Sequence, residues 1–168
     1  MTDRGPGIET PAMPPARMPD LDRETERRLA AALYNDTWRL IEMPSRRPEQ
    51  DDEMLHAAHA SRYHWGRVGE SVNLARGEWL CSRVYAVLHR PEPAIWHARR
   101  CLEILNEFGS GENWDVAAAY EALARAYSVA GNKPETKAWL EKGREALDSI
   151  HDVDDRRPIE LDLKTIKA

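Results

Sequence analysis

The sequence is poor in several features that would assign a protein at once. It has two cysteines, Cys81 and Cys101, in 168 residues, and both fall within helical hydrophobic patterns. Such a pair forms no disulfide framework and reads as two small packing residues in a reducing compartment, so the expected location is the cytoplasm. No apolar run approaches the roughly 20 residues that a membrane span needs, and the N-terminus lacks the apolar core of a signal peptide. Lysine is scarce, and the net charge of −5 argues against nucleic-acid binding, which draws on clustered cations. A Gly-rich phosphate loop, a CxxC pair, a nucleophile elbow and an HExxH motif are all missing. No stretch shows the sustained alternation of a β-strand.

Phenylalanine is also nearly absent, with one residue, whereas there are six tryptophans: Trp38, Trp65, Trp79, Trp96, Trp114 and Trp139. They fall about one to a predicted helix. The simplest role for most of them is packing, with the indole N–H near the surface.

Residues 1–20 hold five prolines and almost no hydrophobic pattern, which predicts a disordered Pro-rich tail. From residue 21 to 168 the spacing predicts a single all-α domain of six to seven helices. The first starts near Asp20 or Asp22 and stops before Pro44, because the residue preceding a proline is pushed out of α geometry. The second runs from Pro48 to Tyr63 or Trp65 and is expected to break at Gly66 and Gly69. Ser71 is the expected cap of a third helix ending at Leu88. Pro91 and Pro93 open a fourth, Asn113 begins a fifth, Pro134 lies in the first turn of a sixth, and a last helix is expected after Pro158.

Residues 42 apart match: Arg83 with Arg125, Tyr85 with Tyr127, Glu103 with Glu145 and Leu105 with Leu147. The third and fourth helices therefore read as a copy of the fifth and sixth. Within each copy a tyrosine is followed nine residues later by a small residue, Tyr85 to Ala94 and Tyr127 to Thr136. Ser82 and Ala124 take a small position on the first helix of each copy, Cys101 and Gly143 one on the second. Over residues 72–150 this pattern, with the segment Tyr127-Ser-Val-Ala-Gly131, resembles the tetratricopeptide repeat. It departs from that family in its longer period and in carrying His89 where Gly131 stands in the second copy. The resemblance implies stacked antiparallel helix hairpins and a concave binding groove built from the first helix of each pair.

Two polar stripes mark where chemistry is expected. At 100° per residue, Asp52, His56, His59 and Tyr63 fall within about 60° on one helix face. Two imidazoles three residues apart can converge on a transition metal, so His56 and His59 are candidate ligands; a third would come from Glu78, His97 or Glu121. Alternatively, a histidine aligned by Asp52 serves as a general base, or the stripe is a metal-free polar surface. On the third helix Arg76, Trp79 and Arg83 share a face. Two arginines flanking an indole suit a carboxylate or phosphate, and the competing explanation is a salt bridge between neighbouring repeats. His97, Arg100, Trp114, Tyr120, Glu121 and Arg125 are further candidates for a groove wall.

The leading expectation is thus a helical-repeat binding module that grips an anionic ligand, peptide or partner protein. The alternative is a small metal- or histidine-dependent enzyme with Arg76 and Arg83 anchoring an acidic substrate. A third possibility is a subunit that forms homodimers through its Trp-rich faces.

Overall fold

Each helix of the computed structural model, which describes residues 21–109 and 111–168, begins where the sequence supplies a cap or a proline. Asp22 caps α1 (Arg23–Ile41), its carboxylate accepting from the Thr25 N–H at 2.9 Å. Pro48 occupies the first turn of α2 (Pro48–Val68), where its missing N–H costs nothing. Glu70, rather than Ser71, caps α3 (Ser71–Val87), and the Asn73 side chain accepts from the Glu70 N–H in return. Pro91 opens α4 (Pro91–Phe108), Glu112 and Asp115 form a capping box at α5 (Asn113–Val129), and Asn132 caps α6 (Lys133–Leu147). Asp152 caps α7 (Val153–Lys164). All seven elements among the described residues are helices and none is a strand. None is long and apolar enough to cross a membrane. The Pro-rich segment 1–20, expected to be disordered, lies outside the described residues.

Two boundaries differ from the sequence reading. The second helix passes through Gly66 and ends only at Gly69. One interior glycine costs about 1 kcal/mol, and burial of Val68 beyond the expected break offsets it. Gly69 is a true stop, because a Cβ there would sit 2.7 Å from the Trp65 carbonyl oxygen. The last helix starts five residues before Pro158, which therefore lies inside it. The carbonyl that loses its in-helix donor belongs to Asp154, an exposed residue that water reaches.

Consecutive helices pair as antiparallel hairpins: α1 with α2, α3 with α4, α5 with α6, and α7 lies against α5 and α6. The repeat has a strict structural period. Helix α5 begins 42 residues after α3 (Asn113, Ser71), and α6 begins 42 after α4 (Lys133, Pro91). Both first helices end in the same turn. The Arg90 N–H donates to the Tyr85 carbonyl at 2.9 Å and the Asn132 N–H to the Tyr127 carbonyl at 3.0 Å. This closing bond requires a left-handed residue, supplied by His89 (φ 54°) in one copy and Gly131 (φ 70°) in the other. Histidine thus takes the conformation of the glycine it replaces.

The small positions let helices close up. The Ser82 hydroxyl donates to the Ala94 carbonyl at 2.9 Å, drawing α4 onto α3. Gly143 admits α7: a Cβ on it would lie 2.9 Å from Leu163 Cδ2. Backbones of α1 and α3, and of α3 and α5, approach within 8 Å, whereas those of α2 and α4, or α4 and α6, do not among the described residues. The odd-numbered helices therefore form the inner side of the stack.

Candidate functional site

The two polar stripes occupy different places. On α2, Asp52 and His56 are exposed, and Tyr63 is 47% exposed beside His64. Only His59 turns inward. Its Nε2 lies 2.9 Å from the Tyr85 hydroxyl, and its ring is edge-on to His97 with centroids 5.3 Å apart. His97 Nδ1 is 2.6 Å from Glu78 Oε2, while Arg62 Nε donates to the other oxygen of Glu78 at 2.8 Å. Of the three residues that helix phase offered as a third ligand for His56 and His59, Glu78 and His97 lie at the His59 seam, whereas Glu121 is held by Arg83 and Arg125. Helix phase did not foresee that Tyr85 and Arg62 would join the seam while Asp52, His56 and Tyr63 stayed outside. Among the described residues no group of three or more His, Cys, Asp or Glu is arranged to hold a metal ion.

The electrostatics of this seam follow from burial. Burial pushes the His59 pKa below its usual value, and the neighbouring His97 and His56 add to the effect. For Glu78 burial acts upward, but hydrogen bonds from His97 and Arg62 and the Arg62 charge outweigh it and hold the carboxyl below its ordinary range. Burial raises the Tyr85 phenol and pushes the Cys81 thiol up to about 12, so Cys81 is no nucleophile. A similar buried pair joins α1 to α2, where Glu26 meets His64 at 3.2 Å and also Arg67. A role for His64 was not legible in its local pattern, since its partner lies 38 residues away.

The Arg76, Trp79 and Arg83 stripe lies on the inner side, and both guanidiniums are engaged. Arg76 grips Asp115 through two parallel bonds of 2.8 and 2.9 Å. Arg83 donates to Glu121 at 2.9 Å and to Asp162 at 2.6 Å. Arg125 also reaches Glu121 at 2.6 Å and the Asp162 carbonyl at 3.0 Å. The competing explanation from the sequence, salt bridges between neighbouring repeats, is the observed arrangement. Burial opposes the Arg83 charge, but Glu121 and Asp162 outweigh it and raise its pKa further.

Beside these pairs lies a cavity of about 270 Å³. Tyr34 and Trp38 of α1, Arg76 and Trp79 of α3, and Trp114 and Asp115 of α5 form its walls. Helix α7 closes one side with Asp154, Asp155, Ile159 and Asp162, and Cys101 also lines the cavity. The indoles are fixed in place. Trp79 donates to the Ala118 carbonyl at 3.1 Å and packs against Trp38 with centroids 5.5 Å apart. The Arg76 guanidinium lies 4.3 Å from the centre of the Trp114 ring. Trp79 and Arg76 were foreseen as site residues and Trp114 as part of a groove wall; Tyr34, Trp38 and the α7 carboxylates were not. The available signal was one tryptophan on each of α1, α3 and α5, at Trp38, Trp79 and Trp114.

Comparison of the chain with protein-family models, with curated proteins and with solved structures finds no match.

Proposed function

We propose that the chain is a tetratricopeptide-like binding module whose odd-helix face takes part of a ligand into the aromatic cavity. The observation that carries this reading is the cavity itself. Three tryptophans and a tyrosine from successive hairpins converge on about 270 Å³ at the inner side of the stack. Mostly apolar concave sites with a few convergent polar groups are the usual form of ligand pockets. Binding is favoured over catalysis because the reactive groups there are quenched. Burial raises the Cys101 thiol far above its ordinary pKa, and Arg76 and Asp115 neutralise each other. An anionic ligand loses support for the same reason, since Arg76 and Arg83 already hold internal carboxylates.

Protein-observed NMR with a fragment library of cationic, neutral and anionic members tests the reading. Fragments should perturb the indole signals of Trp38, Trp79 and Trp114 and be displaced when Ala118, which also lines the cavity, is replaced by Leu. A library in which no member of any charge touches these signals would overturn the proposal.

A further inference from the structure

The charge around the cavity narrows the kind of ligand, and this step rests on the binding reading above. Five charged residues line it: Arg76, Asp115, Asp154, Asp155 and Asp162. Arg76 and Asp115 cancel through their double hydrogen bond. Asp162 is held by Arg83 at 2.6 Å and approached by Arg125 at 3.7 Å. Asp154 and Asp155 remain, and among the described residues no ion pair neutralises either carboxylate. Both lie in the first turn of α7, whose N-terminus carries the equivalent of about +0.5 charge. That partial charge explains why acids are tolerated there, and it falls well short of cancelling two of them.

The walls suit a positive guest as well. An indole face attracts a cation through its quadrupole. Two of the three indoles already do so within the protein: Arg76 lies over Trp114 at 4.3 Å and Arg83 over Trp79 at 5.9 Å. Trp38, tilted 33° against Trp79, and Tyr34 offer further aromatic surface. A compact, strongly hydrated ammonium or metal ion would lose its water on entering such walls. A cation wrapped in methyl or methylene groups loses little water and still meets the rings and the carboxylates. An anion meets two uncompensated negative charges.

We infer that the cavity accepts the alkylated ammonium group of a small organic cation. A volume of about 270 Å³ sits just below the roughly 300–1,000 Å³ of drug-sized pockets. It therefore takes one head group, and the rest of the molecule extends past Asp154 and Asp155 into solvent.

The test is a calorimetric and NMR titration of the full chain with three probes. These are choline, its neutral analogue neohexanol (a carbon in place of the ammonium nitrogen), and succinate. Choline should bind and shift the indole signals of the cavity, with neohexanol about tenfold weaker and succinate silent. Replacing the exposed pair, Asp154→Asn with Asp155→Asn, should weaken choline severalfold and leave neohexanol unchanged, with the helical circular dichroism retained. Neohexanol binding as well as choline, or succinate binding better, would overturn the cation assignment and leave the binding module standing. Failure of all three probes where library fragments still enter the cavity overturns the cation assignment alone. Failure of probes and fragments together removes both readings.

Discussion

One location in the two consecutive hairpins is filled in opposite ways. In the first hairpin Glu78 of α3 meets His97 of α4 at 2.6 Å, with Arg62 on the other carboxylate oxygen. Forty-two residues later the corresponding pair is Tyr120 of α5 and Trp139 of α6, two rings with centroids 5.8 Å apart. The same two positions touch in both hairpins and the chemistry is exchanged wholesale, from a buried carboxylate–imidazole hydrogen bond to an aromatic pair. The lesson is that this scaffold fixes which positions touch and leaves open what they are made of. A buried polar pair is then no mark of function by itself, because an apolar one serves the same contact.

The comparison can be broken or sharpened by substitution, beginning with the largest expected effect. Arg76 has no counterpart in the second hairpin, where Ala118 takes its position, and among the described residues it alone forms an ion pair with Asp115, which is 4% exposed. Arg76→Ala should cost about 2–3 kcal/mol, read as a lower urea midpoint at unchanged slope, because it leaves a buried carboxylate without its cation. A cost below about 0.5 kcal/mol would mean that water reaches Asp115 freely.

Next in size is the small position of the second helix, Cys101 in one copy and Gly143 in the other. Gly143→Cys gives the second hairpin the residue of the first. Its Cβ meets Leu163 at 2.9 Å, so the change should cost about 1–2 kcal/mol and loosen α7, seen as faster amide exchange there. Cys101→Ala should leave α7 untouched.

The turn residues should move stability in opposite directions. His89→Gly relieves a side chain from the left-handed region and should raise stability by about 0.5–1 kcal/mol. Gly131→Ala should lower it by about 1 kcal/mol, although a Cβ there meets nothing within 4 Å, because the cost lies in the backbone alone. Thermal melts of the two variants decide the point, and equal shifts of one sign would remove the equivalence of the turns.

The smallest effect expected is a difference in acid response. The folded state holds the Glu78 pKa below its ordinary 4.5, so the unfolded chain binds the proton more readily. The stabilisation is present above that value and is lost as pH falls through the lower folded value. Urea titrations at falling pH should show a shallower acid decline for Glu78→Gln than for the parent, while Tyr120→Phe leaves the acid profile as it is.

Much of the fold was legible because its signals are local. Proline and acidic residues at helix starts, glycine at turns and the 42-residue match located the hairpins. The C-terminal end of α2 and the start of α7 were misplaced because tertiary burial of Val68, and the solvent exposure of Asp154, overrode Gly66 and Pro158. For the site, helix phase could place Glu78 and His97 near His59, since all three project between adjacent helices. It could not reveal that Asp115, Glu121 and Asp162 would occupy Arg76 and Arg83, because those partners lie 38 to 79 residues away. Tyr34, Trp38 and the acids of α7 escaped for the same reason: α7 closes the cavity only because Gly143 admits Leu163.

Those distant partners also govern how the molecule comes apart. Arg76 with Asp115 and Arg83 with Glu121 each tie one hairpin to the next, and the second contact of Arg83 runs to Asp162 of the final helix. In a stacked array the energy shared between neighbours decides whether units melt singly or together. Here the shared part includes Asp115 and Arg83, buried charges whose partners lie outside their own hairpins, so a partly melted array would carry stranded ions. The chain should therefore lose its structure in one cooperative step rather than fray from its C-terminal end.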